Sequence, residues 1–220
     1  MQRRNLILGG AAVVGLGGYA LTRKTTDLPF DPMMAANAQE ATGETMEIAD
    51  MVMGSADAPV EIIEYASFTC PHCASFHADT FKKLKADYID TGKVRFVYRE
   101  VYFDRFGLWA SMIARCGGEM RFFGMAELIY EKQREWTSSG DPAIIIEDLR
   151  KLAKTAGLTD DMLDECMNDA DMAQSLVGWY QANAERDDIS STPSFLIDGE
   201  KYSNMAYAEF QKIIDDKVNG

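Results

Sequence analysis

Histidine is nearly missing from this chain: among 220 residues only His72 and His77 are of that type. Cysteine is almost as scarce, with four, at positions 70, 73, 116 and 166. Only Cys70 and Cys73 form a close pair. Cys116 and Cys166 stand alone, about 50 residues apart, where a structural zinc site built on thiolates asks for two close pairs. A metal is therefore not expected, and no cofactor is expected. Lys and Arg are absent from Thr25 through Phe81, and the formal net charge is −13. Losing residues 1–26 would remove Arg3, Arg4, Arg23 and Lys24 but no acid, taking the charge to −17. Such a surface argues against nucleic acid or an anionic membrane as partner. Internal repeats and low-complexity tracts are missing too.

What is present belongs to a folded chain: 47% hydrophobic and 10% aromatic residues, far from the disordered class. The length suits one domain carrying an insertion. Arg3-Arg4 precede a run of apolar and small residues from Leu6 to Leu21, the layout of a signal's charged and apolar regions. The paired arginines resemble an imperfect twin-arginine signal. Gly18-Tyr19-Ala20 and Ala36-Asn37-Ala38 offer cleavage sites. The run is shorter than the roughly 20 residues a spanning helix needs, although Arg23-Lys24 could hold it as an uncleaved anchor. Residues 1–26 thus read as a signal peptide or N-terminal anchor. Export to the periplasm is expected, and with it an oxidising compartment.

Residues 27–48 are acidic, contain Pro29 and Pro32 and show no sustained period, as a linker does. Val60 to Ala66 is β-branched and nearly continuous in apolar character, as a buried central strand should be. A helix is expected over 73–90, with Phe76, Thr80, Leu84 and Tyr88 on one face and Gly92 as its stop. Val94 to Tyr98 reads as the next strand, completing a βαβ unit. Residues 49–103 form this first half. From 104 to 188 the pattern is helical only: one helix ending at Gly117-Gly118, one over about 120–136, one capped by Asp141-Pro142, one capped by Thr159, and one through Leu176 and Trp179. Over 189–220 a strand from Ser194, the Asp198-Gly199 turn, a second strand and an amphipathic helix close the chain. The class is α/β, βαβ…ββα around an all-helical insertion.

The chemistry sits at Phe68-Thr69-Cys70-Pro71-His72-Cys73-Ala74-Ser75-Phe76. Pro71 fits the first turn of a helix, where a missing N–H costs nothing. A cysteine at that helix start faces unpaired backbone N–H groups and the positive end of the helix dipole, both of which favour thiolate. Cys70 would exchange with an outside disulfide and Cys73, one turn inward, would resolve the product. His72 offers its ring to the Cys70 sulfur. A zinc site and a purely structural Cys70–Cys73 disulfide are the alternatives. Thr192-Pro193 stands at the entry of a late strand, where an X-Pro bond can be cis or trans. Cys116 and Cys166 both lie on apolar helical faces, as two free thiols or as one disulfide; the oxidising compartment favours the disulfide.

The Cys-Pro-His-Cys stretch together with Ser191-Thr192-Pro193-Ser194-Phe195-Leu196-Ile197-Asp198-Gly199 resembles the DsbA family of thiol:disulfide oxidoreductases, over most of residues 50–220. The resemblance implies a thioredoxin fold with a helical domain inserted after βαβ. It implies that Cys70 is the exposed nucleophile, Cys73 the resolving thiol and Pro193 a cis-proline facing them. It further implies that the Thr192 backbone pairs with a substrate peptide by strand addition, and that Glu64 is a buried acid relaying protons to Cys73. The expected function is an exported oxidase that gives its Cys70–Cys73 disulfide to reduced, unfolded client proteins and is regenerated by a membrane or small-molecule oxidant. A monomer is expected. The rival readings are a reductase or isomerase on the same fold and a non-enzymatic peptide-binding assembly factor.

Overall fold

A computed structural model describes residues 46–219; the export segment and nearly all of the acidic linker lie outside them. Five strands form one sheet: β1 (Met51–Met53), β2 (Val60–Ala66), β3 (Val94–Glu100), β4 (Ser194–Ile197) and β5 (Glu200–Ser203). Their spatial order is β1-β3-β2-β4-β5. β2 and β3 are parallel, with Val60 opposite Val94 and Glu64 opposite Tyr98. The other pairings are antiparallel. β2 thus has a neighbour on each side, in keeping with its apolar run.

Side chains alternate across a strand. Ile62, Glu64 and Ala66 are fully or almost fully buried, and Ile62 and Ala66 lie in the main core. Tyr65 belongs to a smaller cluster with Val101 and Leu196. Glu64 therefore occupies a position whose neighbours in register face apolar packing. Against the main face lie α1 (Pro71–Ala78) and α9 (Tyr207–Asn219). The rings of Phe76, Phe195 and Phe210 meet there at centroid distances of 4.8 to 5.8 Å. Burying each such ring is worth roughly 1.5–3 kcal/mol.

The helix begins at Pro71, as a first-turn proline suggests, but the expected run over 73–90 is corrected, because it is not continuous: α1 ends at Ala78, α2 covers Thr80–Leu84, and a π-helical turn covers Lys85–Ile89. At Asp79 the backbone leaves the helical region, with φ −127° and ψ −69°. In the π turn the N–H of Asp90 bonds the carbonyl of Lys85. The wider turn adds a residue, which lets the adjacent Tyr88 and Ile89 both point inward, at 3% and 2% exposure.

The insertion comprises α3 (Arg105–Cys116), α4 (Glu119–Glu131), α5 (Gln133–Trp136), α6 (Pro142–Thr155), α7 (Asp160–Met167) and α8 (Ala170–Arg186). The single helix expected over about 120–136 is two, because Lys132 (φ −96°, ψ 7°) breaks it. Asp104, Asp141, Thr159 and Asp169 cap α3, α6, α7 and α8 with side-chain acceptors. Cys116 and Cys166 are joined by a disulfide that ties the end of α3 to α7, with Cα atoms 5.8 Å apart. In the β4–β5 hairpin Asp198 and Gly199 both take positive φ, 47° and 82°, as a tight two-residue turn requires. Among the described residues no helix is long and apolar enough to cross a membrane.

Candidate active site

Cys70 is the residue that caps α1. Its backbone is extended (φ −81°, ψ 118°), Pro71 follows in the first turn, and no side chain occupies the capping role. The Cys70 sulfur lies at the free N–H groups of the first turn, where those of Cys73 and His72 favour its thiolate. Both cysteines are free thiols. The Cys70 thiol is lowered to about 5, first because the Cys73 thiol donates to the thiolate, against burial, and then through Thr192 and the backbone N–H groups of Cys73 and His72. Cys73 goes the other way. Burial first, then its contact with Cys70 and the charge of Glu64, push its thiol far up. One dithiol therefore holds one ready nucleophile and one thiol kept protonated until needed.

Cys70 was expected to be exposed; it retains 8% exposure, against 0% for Cys73. The cover comes from the loop before β4. The Cys70 thiol donates to the carbonyl of Thr192 at 3.5 Å, and the Thr192–Pro193 bond is cis. Pro193 itself is buried. In this state the Thr192 carbonyl, expected to face a bound peptide, is held by Cys70, while the buried Thr192 hydroxyl has no partner. His72 is exposed, and what it brings to the sulfur is its backbone N–H, not the ring that the sequence pointed to.

Beneath the dithiol lies Glu64, with no accessible surface. Its Oε2 is 2.9 Å from Nε2 of His77, and its Oε1 is buried without a partner. His77 stacks on Tyr130 with ring centroids 4.4 Å apart and planes 15° apart. Sequence reading missed His77 as a site residue. The signal was there: His77 follows Cys73 by four residues, the spacing that places two side chains on one helix face.

Two further residues were missed, and both come from the insertion side. Gln133 of α5 is buried and its Nε2 donates to the carbonyls of Phe68, at 2.8 Å, and Cys70, at 2.9 Å. Asp104 accepts from the Thr69 hydroxyl at 2.9 Å while its other oxygen caps α3 at the N–H of Gly107. Gly107 leaves room for this: a Cβ there would lie 3.3 Å from the Ser67 hydroxyl. No local pattern announces Gln133, whose partners are more than 60 residues away. The exposed Phe103 lies just before Asp104.

Comparison with known proteins agrees with this geometry. A family model described as thioredoxin matches residues 46–216. A Rickettsia bellii protein named as a protein-disulfide oxidoreductase is 33% identical over 175 residues, 77% of this chain and 66% of that protein. The chain thus spans just under two thirds of the length of that relative. Among solved structures, alpha-DsbA1 of Wolbachia pipientis is similar with a TM-score of 0.71 and 28% identity, over 77% of this chain and 91% of that one. BdbD of Bacillus subtilis, in its oxidised form, is similar with a TM-score of 0.69 and 25% identity, over 78% and 94%.

Proposed function

This chain belongs to the thioredoxin family, and from that premise we propose that it is an exported thiol:disulfide oxidoreductase that oxidises reduced client proteins through Cys70 and Cys73. The observation that carries the direction is the Cys70 thiol at about 5. A stabilised thiolate stabilises the reduced form, so the disulfide form gives up its bond readily.

The client thiolate attacks the Cys70 sulfur of the Cys70–Cys73 disulfide. The S–S bond breaks, Cys73 leaves with the electron pair, and a Cys70–client mixed disulfide forms. A second client thiolate attacks the client sulfur of that bond, and Cys70 leaves as the thiolate that its surroundings favour. The client gains one disulfide, and the protein gains two electrons, which a membrane or small-molecule oxidant must remove. The wall at Thr192–Pro193 is where an extended client strand would lie, its main chain meeting the Thr192 backbone once the Cys70 sulfur has turned to the client. Glu64, between Cys73 and His77, would supply and accept the Cys73 proton. Support for export comes from Arg3-Arg4 and the apolar run after them, and for a periplasmic site from the Cys116–Cys166 disulfide, a bond that persists in oxidising compartments. We take the working unit to be a monomer.

The test is a redox titration against glutathione, paired with oxidative refolding of a reduced protein. We expect a potential well above that of thioredoxin, about −270 mV, and complete loss of refolding activity in Cys70→Ala. A potential near thioredoxin's would make the protein a reductase. Refolding activity that survives Cys70→Ala would remove the dithiol from the function.

A further inference from the structure

Whatever the direction of exchange, Cys73 must gain or lose a proton in a place that water does not reach. When a client thiolate opens the disulfide, Cys73 leaves as a thiolate and needs a proton. When the disulfide is rebuilt, Cys73 must shed one before it can attack. Cys73 and Glu64 each have 0% exposure, so a carboxyl beside the thiol moves the proton by one step only. It does not connect it to solvent.

The connection lies on the far side of Glu64. Nε2 of His77 is 2.9 Å from Oε2 of Glu64; Oε1 has no hydrogen-bond partner, and the Glu64 charge acts on the Cys73 thiol. His77 also lines a cavity of about 230 Å³ between α1, α2 and α4, together with Ala74, Phe81 and Tyr130. That is space for several waters, each of which occupies roughly 30 Å³ in the liquid. At the cavity mouth stand Lys82, Lys85, Glu127 and Glu131. Lys82 and Glu127 face each other there at 3.6 Å, with both side chains more than 60% exposed. The mouth is therefore wet and the inner end is the imidazole. On its other sides His77 meets the buried rings of Tyr98 and Tyr130, centroids 5.9 and 4.4 Å away, whose hydroxyls bond each other at 2.6 Å.

We propose that His77 is the second station of a proton relay that runs from Cys73 through Glu64 to this cavity, so that the inner thiol exchanges protons with solvent on the face of α1 turned away from the client. The inference rests on the exchange chemistry proposed above but not on its direction. In the outward step, the Glu64 carboxylate takes the Cys73 proton and hands that one proton on, through Oε2, to Nε2 of His77, whose second ring nitrogen releases one to water in the cavity. One proton leaves Cys73, one reaches solvent, and the net charge of the pair is unchanged. The Cys73 thiolate then attacks the Cys70 sulfur, and the outer thiolate leaves with the electron pair. The inward step runs the same atoms in reverse. His77 touches neither client nor sulfur; it acts through Glu64.

The experiment separates the two sulfurs. Reduced protein mixed with dithiobis-nitrobenzoate releases one coloured thiolate when Cys70 attacks and a second when Cys73 resolves the mixed disulfide. In His77→Ala the first phase is expected at the unaltered rate. The second should slow by roughly 100-fold, the low end of what a positioned acid–base group contributes. Free imidazole, which fits the space vacated by the ring and enters by the cavity, should restore it. His77→Gln keeps a hydrogen-bonding group towards Glu64 but cannot take up and release a proton, and it leaves no hole; it should be as slow, and imidazole should not help. A second phase at the original rate in both variants, or a slow His77→Ala that imidazole leaves slow, overturns the relay. Absence of the first phase in the unaltered protein would instead overturn the exchange chemistry on which it rests. Should His77→Ala not fold, the rate in His77→Gln still decides.

Discussion

The Cys70 thiol donates to the Thr192 carbonyl at 3.5 Å, while the hydroxyl of the same Thr192 is buried without a partner. A thiol needs an acceptor and a thiolate needs donors, and one residue holds both. In the thiolate state the Thr192 hydroxyl becomes a donor and helps to lower Cys70. Thr192→Val keeps the shape and the carbonyl and removes only that donor. A hydrogen bond to a charged group is worth about 1.5 kcal/mol or more, so the Cys70 midpoint should rise by about one pH unit. Alkylation rates against pH would measure it; an unmoved midpoint would mean that the hydroxyl plays no part.

The same profile on the unaltered protein should show reactivity rising through pH about 5 and level above it. The stability consequence has a definite sign. The folded value lies below that of an unfolded thiol, roughly 8.5. The stabilisation is therefore fully present above that unfolded value, declines as pH falls, and is gone below about 5. The oxidised form has no thiolate and lacks this contribution. The reduced form should thus gain melting temperature on the oxidised one between pH 5 and 8. Calorimetry of both forms across that window checks it, and a constant difference would contradict it.

How much of this could be read from residues alone depends on the range of the interactions. β2, β3 and the β4–β5 hairpin follow from short apolar runs and the Asp198-Gly199 turn. The start of α1 follows from Pro71, and the caps at Asp141 and Thr159 from the helices they precede. The break at Asp79 and the π turn after it did not show. Phe76, Thr80, Leu84 and Tyr88 keep a spacing of four, and a one-residue widening near the end leaves that pattern intact. The Cys70–Cys73 dithiol was plain because its chemistry needs only two residues at close spacing. Gln133, Asp104 and the Glu64–His77 pair were not, because each acts across the fold, and nothing beside Gln133 in sequence hints that its amide ends on the carbonyl of Cys70.

Gln133 supplies the third prediction. Its amide satisfies two buried carbonyls of the loop that carries Cys70. Gln133→Leu is similar in size but leaves both unpaired, at a cost of about 1–3 kcal/mol for each buried group stranded. Chemical denaturation should show a loss of at least about 1 kcal/mol, and hydrogen exchange should show faster opening around Phe68 to Cys70. Unchanged stability would mean that water replaces the amide.

The Cys116–Cys166 bond closes a loop of 50 residues, for which the chain-entropy estimate is about 4 kcal/mol. Cys116→Ala with Cys166→Ala should lower the unfolding free energy by that order. The redox potential of the Cys70–Cys73 pair should stay unchanged, since the second disulfide contacts neither sulfur. A shifted potential would show that the insertion reaches the dithiol through α3.

In the exchange proposed above, the burial of Cys73 would also govern how long a half-finished client stays attached. An inner thiol that remains protonated is a poor competitor for the Cys70–client bond, so the covalent complex does not collapse back at once. The client's own second cysteine would gain time to arrive, even when it lies far along the chain. Abortive release becomes the slower branch, and the lifetime of the attachment is written into the depth at which one sulfur sits.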